Sequence, residues 1–394
     1  MGKQVKTPRF YVDMVTFLHA TGDLEWGISQ TGGVKLLYMN PSNPYTRPDT
    51  PDNSWLFRIG DFEREPKTSF PINFVALLNH NLASDDAVFR IKGIHKNFTG
   101  TDGWPTLTSS DNYKANILNA NKISPDLSLQ YNGTTIFELN NPNNELDKYW
   151  NFFGIEYQST IDSALKHQLG SMVVGKYWDA PNSPDLSLTM SRRFDGIKKQ
   201  KTIGGKTLAN IYYDGPTEWT MNRKQAESIP SQVYKYPPFE LDTTYGGSQT
   251  AGEDTINQRA KSGLGRKGLR SWNLTFSYIS EDNMWMDNEV SGKLTDDSID
   301  DAPYEGGSPT GGNDGNPMLS DESFNFVWNC TLGGTLPFIF QPNADHYDAS
   351  GNLTQAGNNN PDQFSICTFR QNTLSVKQVA YNTYTLSITI DEVA

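Results

Sequence analysis

Apolar and polar residues alternate along many short stretches of the chain, most clearly near its C-terminus. From residue 384 to residue 391 every second side chain is apolar, and the side chains between them belong to threonine, serine and aspartate. Successive side chains of a strand point to opposite faces of a sheet, so this stretch would have one apolar and one polar face. The pattern predicts an antiparallel strand with one face in the core and the other in solvent.

The same alternation occurs elsewhere, and helical periodicity is weak throughout. Strong strand patterns cover residues 186–190, 271–278 and 324–330. Weaker ones cover 10–18, 55–59, 73–82, 88–94, 134–139, 149–157, 170–178, 208–213, 336–340, 364–369 and 374–379. The best helical windows are 159–169 and 255–261. So many strands and so little helix predict a mostly-β fold of two β-sandwich or jelly-roll domains with long irregular loops.

The length of the chain, 394 residues, exceeds the usual span of one hydrophobic core. Pro181 and Pro184 interrupt strand pairing and mark the predicted boundary between domains 1–182 and 183–394. The C-terminal domain would carry long loop inserts at about 236–268 and 282–323, and another long loop covers 100–121. Loops of that length are usually functional, and we expect at least one to become ordered only against a neighbouring subunit.

Composition excludes two classes of partner. The net charge is −12, from 33 basic and 45 acidic residues, and this charge would repel phosphate backbones. The longest apolar runs, such as residues 74–78, fall far short of the ~20 residues that a membrane-spanning helix needs. We therefore predict neither a direct nucleic-acid partner nor a membrane span.

No stretch of the sequence has the pattern of a catalytic, cofactor-binding or metal-binding site, so we predict none and no cofactor. The G-x-G-x-x-G spelling at residues 263–268 is followed by a strand pattern instead of a helix, which favours a flexible basic loop over a dinucleotide site. The histidines have no partner at metal-ligand spacing. His80 ends a strand pattern, where simple hydrogen bonding is the favoured interpretation. Cys330 and Cys367 are too few for a disulfide framework or a zinc site.

Three groups of acidic residues have alternative interpretations. Alternating carboxylates at 61–65 have the spacing of glycosidase acids, but a solvated edge strand without catalysis is the favoured interpretation. Two further groups have oxygen ligands that Ca²⁺ prefers, although neither follows the EF-hand spacing and a solvated acidic loop is favoured. These residues are Asp61, Glu63 and Glu65, then Asp296, Asp297, Asp300, Asp301 and Glu305, and finally Asp345, Asp348 and Asn352.

Two basic clusters are unexpected in so acidic a chain. They would meet the acidic surface of the next subunit and set the register of assembly, or they would simply be solvated loops; charge patterning alone favours neither. We name candidate subunit-interface residues from both clusters: Arg192, Arg193, Lys198, Lys199, Arg266, Lys267 and Arg270.

Several segments together resemble structural proteins of bacteriophage tails, of the minor-tail and distal-tail (baseplate) kind. Residues 73–82 and 87–91 look like the core hairpin of a galactose-binding-like jelly roll, and 169–178 like the strand that closes that domain. Residues 185–196 and 270–278 are similar to the β-domain that follows, and 333–342 to the stretch before the terminal strands. The resemblance implies a ring-forming virion component around the distal tail tube, with no catalytic residues.

The sequence thus predicts a non-enzymatic tail subunit, made in the host cytoplasm, that forms a homo-oligomeric ring and contacts tail tube, hub or tip proteins. One alternative is a carbohydrate-binding, receptor-binding tail module or a glycoside hydrolase, since 9 Trp and 18 Tyr could stack on sugar rings of a host surface glycan. Another is a head–tail connector or capsid decoration protein, which uses the same assembly principle elsewhere in the particle.

Overall fold

The computed structural model of the chain describes residues 5–21, 39, 45–46, 54–58, 73–80, 88–94, 121–122, 127–128, 133–138, 152–158, 168–193, 197–211, 269–286, 323–347, 353–354 and 364–393. The elements in chain order are β1 (Arg9–Asp13), α1 (Met14–Thr21), β2 (Tyr45–Thr46), β3 (Ser54–Arg58), β4 (Phe74–His80), β5 (Val88–Ile94), β6 (Asn121–Lys122), β7 (Leu127–Ser128), β8 (Gly133–Glu138), β9 (Phe152–Gln158), β10 (Gln168–Leu169), β11 (Ser171–Asp179), β12 (Thr189–Arg193), β13 (Ile197–Lys201), β14 (Thr207–Ile211), β15 (Leu269–Ser280), α2 (Glu281–Met284), α3 (Phe324–Cys330), β16 (Phe338–Gln341), β17 (His346–Tyr347), β18 (Leu353–Thr354), β19 (Ser365–Phe369), β20 (Val376–Ala380) and β21 (Thr383–Glu392).

The largest sheet contains ten of these strands, all paired antiparallel. Their order is β12–β15–β21–β19–β16–β1–β11–β4–β8, and β20 pairs with β21 beside this path. A second sheet has the order β3–β9–β5–β6, with β7 paired to β5. The predicted mostly-β fold is confirmed. None of the helices in the described part of the chain is long and apolar enough to cross a membrane.

The ten-stranded sheet contains strands from both sides of the predicted domain boundary. Phe10 of β1 lies opposite Trp178 of β11 on one side and opposite Phe340 of β16 on the other. Backbone hydrogen bonds of β1 therefore link the two halves of the chain in one sheet. The division into domains 1–182 and 183–394 stays a prediction.

Both faces of the central strands are covered. Phe10 lies in an aromatic cluster on one face, with ring centroids 5.2 Å from Phe340 and 5.9 Å from Phe324 of α3. On the opposite face the ring of Tyr11 lies 4.9 Å from that of Phe74, and its hydroxyl donates to Gln341 Oε1 at 2.8 Å. Burial on both faces explains why the central strands contain long apolar runs without strict alternation.

The strand predicted at residues 324–330 is wrong, because this segment is helix α3. In a strand with the aromatic side chains inward, Val327 would face outward, yet it is fully buried, as are Phe324 and Cys330. Positions 324, 327 and 330 are one helical turn apart and share a face. The helix stops at Thr331, whose hydroxyl donates to the Val327 carbonyl at 2.8 Å, and Gly333 follows with a φ of 65°.

The strand predicted at residues 10–18 is correct only in its first half. The chain turns into α1 after Asp13, whose carboxylate oxygen Oδ1 accepts from the backbone N–H groups of Val15 (3.1 Å) and Thr16 (3.2 Å). An aspartate that bonds these two groups caps a helix and ends the extended conformation. In the window 159–169, only β10 lies among the described residues and it is a strand, whereas the window 255–261 lies outside them.

The jelly-roll hairpin expected from residues 73–82 and 87–91 is also wrong. β4 pairs with β11 along one edge and with β8 along the other. Since both edges of β4 are occupied, β5 cannot pair with it and instead lies in the second sheet. The stretch 169–178, expected to close the domain, contains β11, which pairs with β1 and β4 in the sheet interior. The strand predicted at residues 186–190 is largely wrong, because β12 begins only at Thr189 and Leu186 is fully exposed.

Candidate assembly surface

β12 is an edge strand of the ten-stranded sheet and carries the first two basic residues of the predicted interface. Thr189 to Arg193 pair with β15, Arg192 lying opposite Arg270 and Arg193 opposite Leu269. Arg192 and Arg193 are exposed. Among the described strands only β15 pairs with β12, and the opposite edge of a terminal strand can bond another chain.

A hairpin of β13 and β14 follows β12 directly in the chain. Five residue pairs, from Ile197–Ile211 to Lys201–Thr207, join the two strands, which pair with no other strand in the described part of the chain. The turn is closed by Thr202, whose N–H donates to the Lys206 carbonyl at 2.8 Å, and by Gly205, whose N–H donates to the Thr202 carbonyl at 2.9 Å. Gly205 has a φ of 81°, which residues with a side chain rarely adopt.

We call residues 192–211 the basic arm. It contains six basic residues and one acidic residue, a net charge of +5 in a chain whose net charge is −12. Lys199, Lys201 and Lys206 are exposed, as are Arg192 and Arg193, while Lys198 lies on β13. The apolar Ile203 in the turn is fully exposed, and Leu208 is 56% exposed. The arm thus combines positive charge with apolar side chains in water, a composition typical of a contact surface.

Arg270, in contrast, is part of the fold. Its guanidinium donates to Glu392 through Nε at 3.0 Å and Nη2 at 2.8 Å, and Nη2 also donates to the Phe364 carbonyl at 3.2 Å. It lies 5.2 Å from the Trp272 ring centre, and the whole residue is 8% exposed. The prediction of Arg270 as a subunit-interface residue is therefore corrected. Arg266 and Lys267 lie outside the described residues.

An exposed ion pair lies on β21, next to β15. Arg370 donates to both oxygens of Asp391, through Nε at 2.8 Å and Nη2 at 2.6 Å, and to Ser271 at 3.0 Å. Burial opposes ionisation of Asp391, but the hydrogen bonds of Arg370 and Ser271, together with the charges of Arg370 and Arg193, outweigh it. The pKa of Asp391 is lowered as a result. Arg193 thus stabilises a carboxylate of its own subunit.

Among the described residues, the other candidates for chemistry are not brought together. Asp345 accepts from Lys6 Nζ at 2.8 Å, and no group of three metal-ligating residues occurs in the ranges that the structure describes. His80 ends β4 opposite Gly133. The remaining candidates lie outside the described residues: the acidic sets at 61–65 and 296–305, Asp348 and Asn352, and the glycine-rich stretch at 263–268.

Both cysteines are buried thiols. Burial raises the pKa of Cys367, and the negative charge of Glu392 adds to this effect. A thiol with a raised pKa is held protonated and is a poor nucleophile, so the described surroundings of Cys367 do not favour thiol chemistry.

Two exposed tyrosines at one end of the sheet were missed by sequence reasoning. Tyr278 interrupts the pairing of β15 with β21 at a bulge, has a φ of 62° and is 75% exposed. Tyr381 lies in the turn between β20 and β21 and is 89% exposed. The alternating pattern places Tyr278 with the buried Trp272 and Phe276, and nothing in that pattern indicates the bulge that turns it outward.

Comparison of the chain with family models, curated proteins and solved structures found no match.

Proposed function

We propose that the chain is a structural protein of a bacteriophage tail, a distal-tail, baseplate or minor tail subunit that assembles with copies of itself into a ring. The observation that carries the proposal is the basic arm. Five basic residues of the arm are exposed, and copies of a chain with a net charge of −12 offer this segment of net charge +5 abundant negative charge.

The arrangement suits assembly better than catalysis. Contacts between an arm on one side and acidic residues on another side of the neighbouring copy are heterologous, and heterologous contacts close into rings when the rotation between copies permits. The ring would contact tail tube, hub or tip proteins and would lie in the virion. In this proposal the chain is not an enzyme and needs no cofactor.

The test is electron microscopy of the purified full chain and of the phage particle that contains it. Negative staining of the chain alone should reveal rings of one size. Gold-labelled antibodies against the chain should bind the distal end of the tail. Single subunits without rings in the stained sample of the chain would overturn the proposal. Gold label at the head–tail junction or on the capsid would favour a connector or decoration protein instead.

A glycan-binding tail module is a second candidate, supported by the exposed tyrosines. Aromatic rings in solvent are the usual platforms for sugar rings, and a non-glycine residue with a positive φ, such as Tyr278, is frequent at binding sites. Screening the wild type, Tyr278→Ala and Tyr381→Ala on a glycan array tests it. Binding that both substitutions abolish would support this function, and silence of the wild type would exclude it.

A further inference from the structure

We propose that the solvent-facing side of β12, β15 and β21 binds a neutral glycan, with the ring of Tyr278 stacked on one of its sugars. The inference rests on the second candidate function, glycan binding, whose site and ligand class it specifies, and it does not depend on the ring. We call this side of the three strands the hydroxyl face. It is defined by the side chains of Thr189, Ser191, Ser271, Asn273, Thr275, Ser387 and Thr389.

The hydroxyl face consists of short side chains in register across three strands. Asn273 of β15 lies opposite Thr189 of β12 on one side and opposite Thr389 of β21 on the other. Two residues further along β15, Thr275 lies opposite Ser387, and the two hydroxyl oxygens are 3.2 Å apart. Paired strands lie about 4.8 Å apart, and same-face residues of one strand about 6.8 Å apart. The face is therefore a regular grid of hydroxyl and amide groups.

The core behind these strands holds the grid in place. Trp272, Leu274 and Ile388 alternate with residues of the hydroxyl face and are completely or almost completely buried on the other side of the sheet. On the solvent side Asn273 and Ser387 are exposed. Because the strands are fixed by this packing, a ligand that binds the face has little backbone to order, which lowers the entropic cost of binding.

A β-bulge places Tyr278 at one end of the hydroxyl face. The pairing of β15 with β21 breaks after Phe276 and resumes at Ile279, and both of these residues are fully buried. Ser277 and Tyr278 lie between them, and the bulge turns Tyr278 to the solvent side, where it is 75% exposed. Its φ of 62° is rare for an aromatic residue, and strain of this kind clusters at binding sites.

The segment before β12 adds an exposed apolar side chain at the same end. The Asp185 N–H donates to the Thr275 carbonyl at 2.8 Å, and the Ser277 hydroxyl donates to Asp185 Oδ2 at 2.8 Å. Leu186 follows directly and is fully exposed. This end of the face thus offers an aromatic ring and an aliphatic side chain to the C–H side of a sugar, beside groups that can bond its hydroxyls.

The charge of the surface favours a neutral glycan over an acidic one. The side chains that define the hydroxyl face are uncharged, and at the end away from Tyr278 the charges of Arg370 and Asp391 pair with each other. The net charge of −12 would repel an acidic polymer. Serine and threonine hydroxyls and the asparagine amide both donate and accept, as sugar hydroxyls do, so they complement a ligand without charge.

The experiment screens the full-length chain on an array of neutral and acidic oligosaccharides. The neutral set contains hexose and N-acetylhexosamine chains, and the acidic set contains uronic-acid and sulfated chains. Isothermal titration calorimetry then measures the affinity for each bound glycan at about 0.05 M and about 0.5 M NaCl. We expect the wild type to bind neutral chains with the same affinity at both salt concentrations, because stacking and uncharged hydrogen bonds are not screened by salt.

Two variants remove the proposed contacts without disturbing the strands. Tyr278→Gly removes the ring and inserts a residue that adopts a positive φ without strain, so its melting temperature should be unchanged or higher. Thr275→Val with Thr389→Val removes two hydroxyls and keeps β-branched side chains. Each variant should weaken glycan binding by at least about tenfold. The matched controls Ile203→Ala and Thr207→Val alter exposed residues of the basic arm and should leave the affinity unchanged.

The outcomes separate this inference from the proposed functions. Neutral-glycan binding that survives both variants would refute the site while glycan binding as a function stands. Binding to acidic glycans alone, lost at high salt, would refute the ligand class. A wild type that binds no glycan would refute the inference together with the second candidate function and leave the ring proposal untouched. If Tyr278→Gly abolishes self-association in sedimentation velocity, the face binds another copy of the chain, which also overturns the inference.

Discussion

Asp13 is a buried carboxyl whose ionisation has a cost to the fold. The residue is 3% exposed, and burial raises its pKa to about 7 despite the hydrogen bonds from Thr16 and Val15 that favour the charged form. In the unfolded chain the pKa returns to its ordinary value near 3.8. The folded state therefore binds a proton that the unfolded state has already lost between these two values.

The free energy of unfolding should accordingly fall as the pH rises from about 4 to about 7, with one proton contributing a slope of about 1.4 kcal/mol per pH unit. The stabilising contribution is complete below pH 4 and is lost above pH 7. Asp13→Asn keeps a capping oxygen but cannot ionise, so its urea-unfolding free energies should lack this slope. Equal pH dependence of wild type and variant would contradict the assignment.

Arg270 and Arg370 form ion pairs with adjacent residues of β21 in different surroundings. Arg270 and Glu392 have side chains that are 9% and 11% exposed, whereas Arg370 and Asp391 are 61% and 30% exposed. Removing one partner of a buried pair leaves an unpaired charge, so Arg270→Ala should lower the free energy of unfolding by about 3–5 kcal/mol. Arg370→Ala should lower it by no more than about 1 kcal/mol. Similar losses in chemical denaturation would show that Arg270 is not a structural residue.

At the scale of elements, the sequence was informative where one face of a strand is buried and the other is polar. In β15 and β21 most of the alternating apolar side chains are buried, among them Trp272, Leu274, Leu386 and Ile388, while Tyr278 at the bulge is exposed. The pattern failed at α3, because Phe324 and Phe326 are two apart and suggested a strand. Two features of the sequence did indicate a helix here: Ser323 is a typical helix-capping residue before its first turn, and Gly333 and Gly334 are typical of a helix end.

Val327 tests the helical assignment of α3. In the helix Val327 is fully buried and Asn329 is partly exposed, whereas a strand would place both on the same face. Val327→Ala should cost about 2 kcal/mol through lost burial and a residual cavity, and Asn329→Ala should change stability by no more than about 0.5 kcal/mol. Equal effects in urea unfolding would indicate a strand.

For the molecule as a whole, the sequence revealed the charge of the candidate surface but not its shape. Net charge and the position of basic residues are countable in a sequence, so Arg192, Arg193 and Lys199 could be named as interface candidates, and that role stays a prediction. The role of Arg270 depends on its ion pair with Glu392, which is 122 residues away on the neighbouring strand β21 and can be known as a partner only from the fold. The pairing of β1 with β16, more than 300 residues later, was equally invisible to local patterns.

Assembly through the basic arm should depend strongly on salt. Charges that meet at an exposed surface are screened over about 10 Å at 0.1 M salt and about 3 Å at 1 M. Raising NaCl from about 0.05 M to about 0.5 M should therefore dissociate the rings, as followed by mass photometry at constant protein concentration. Rings that persist unchanged across this range would indicate an apolar interface that does not need the arm.

The central claim is that the chain associates with itself, and sedimentation velocity over a series of protein concentrations at low salt tests it most directly. We expect a discrete, larger species that grows with concentration at the expense of the 44.1 kDa subunit and has the mass of a whole number of copies. A single species of subunit mass at every concentration would contradict the account.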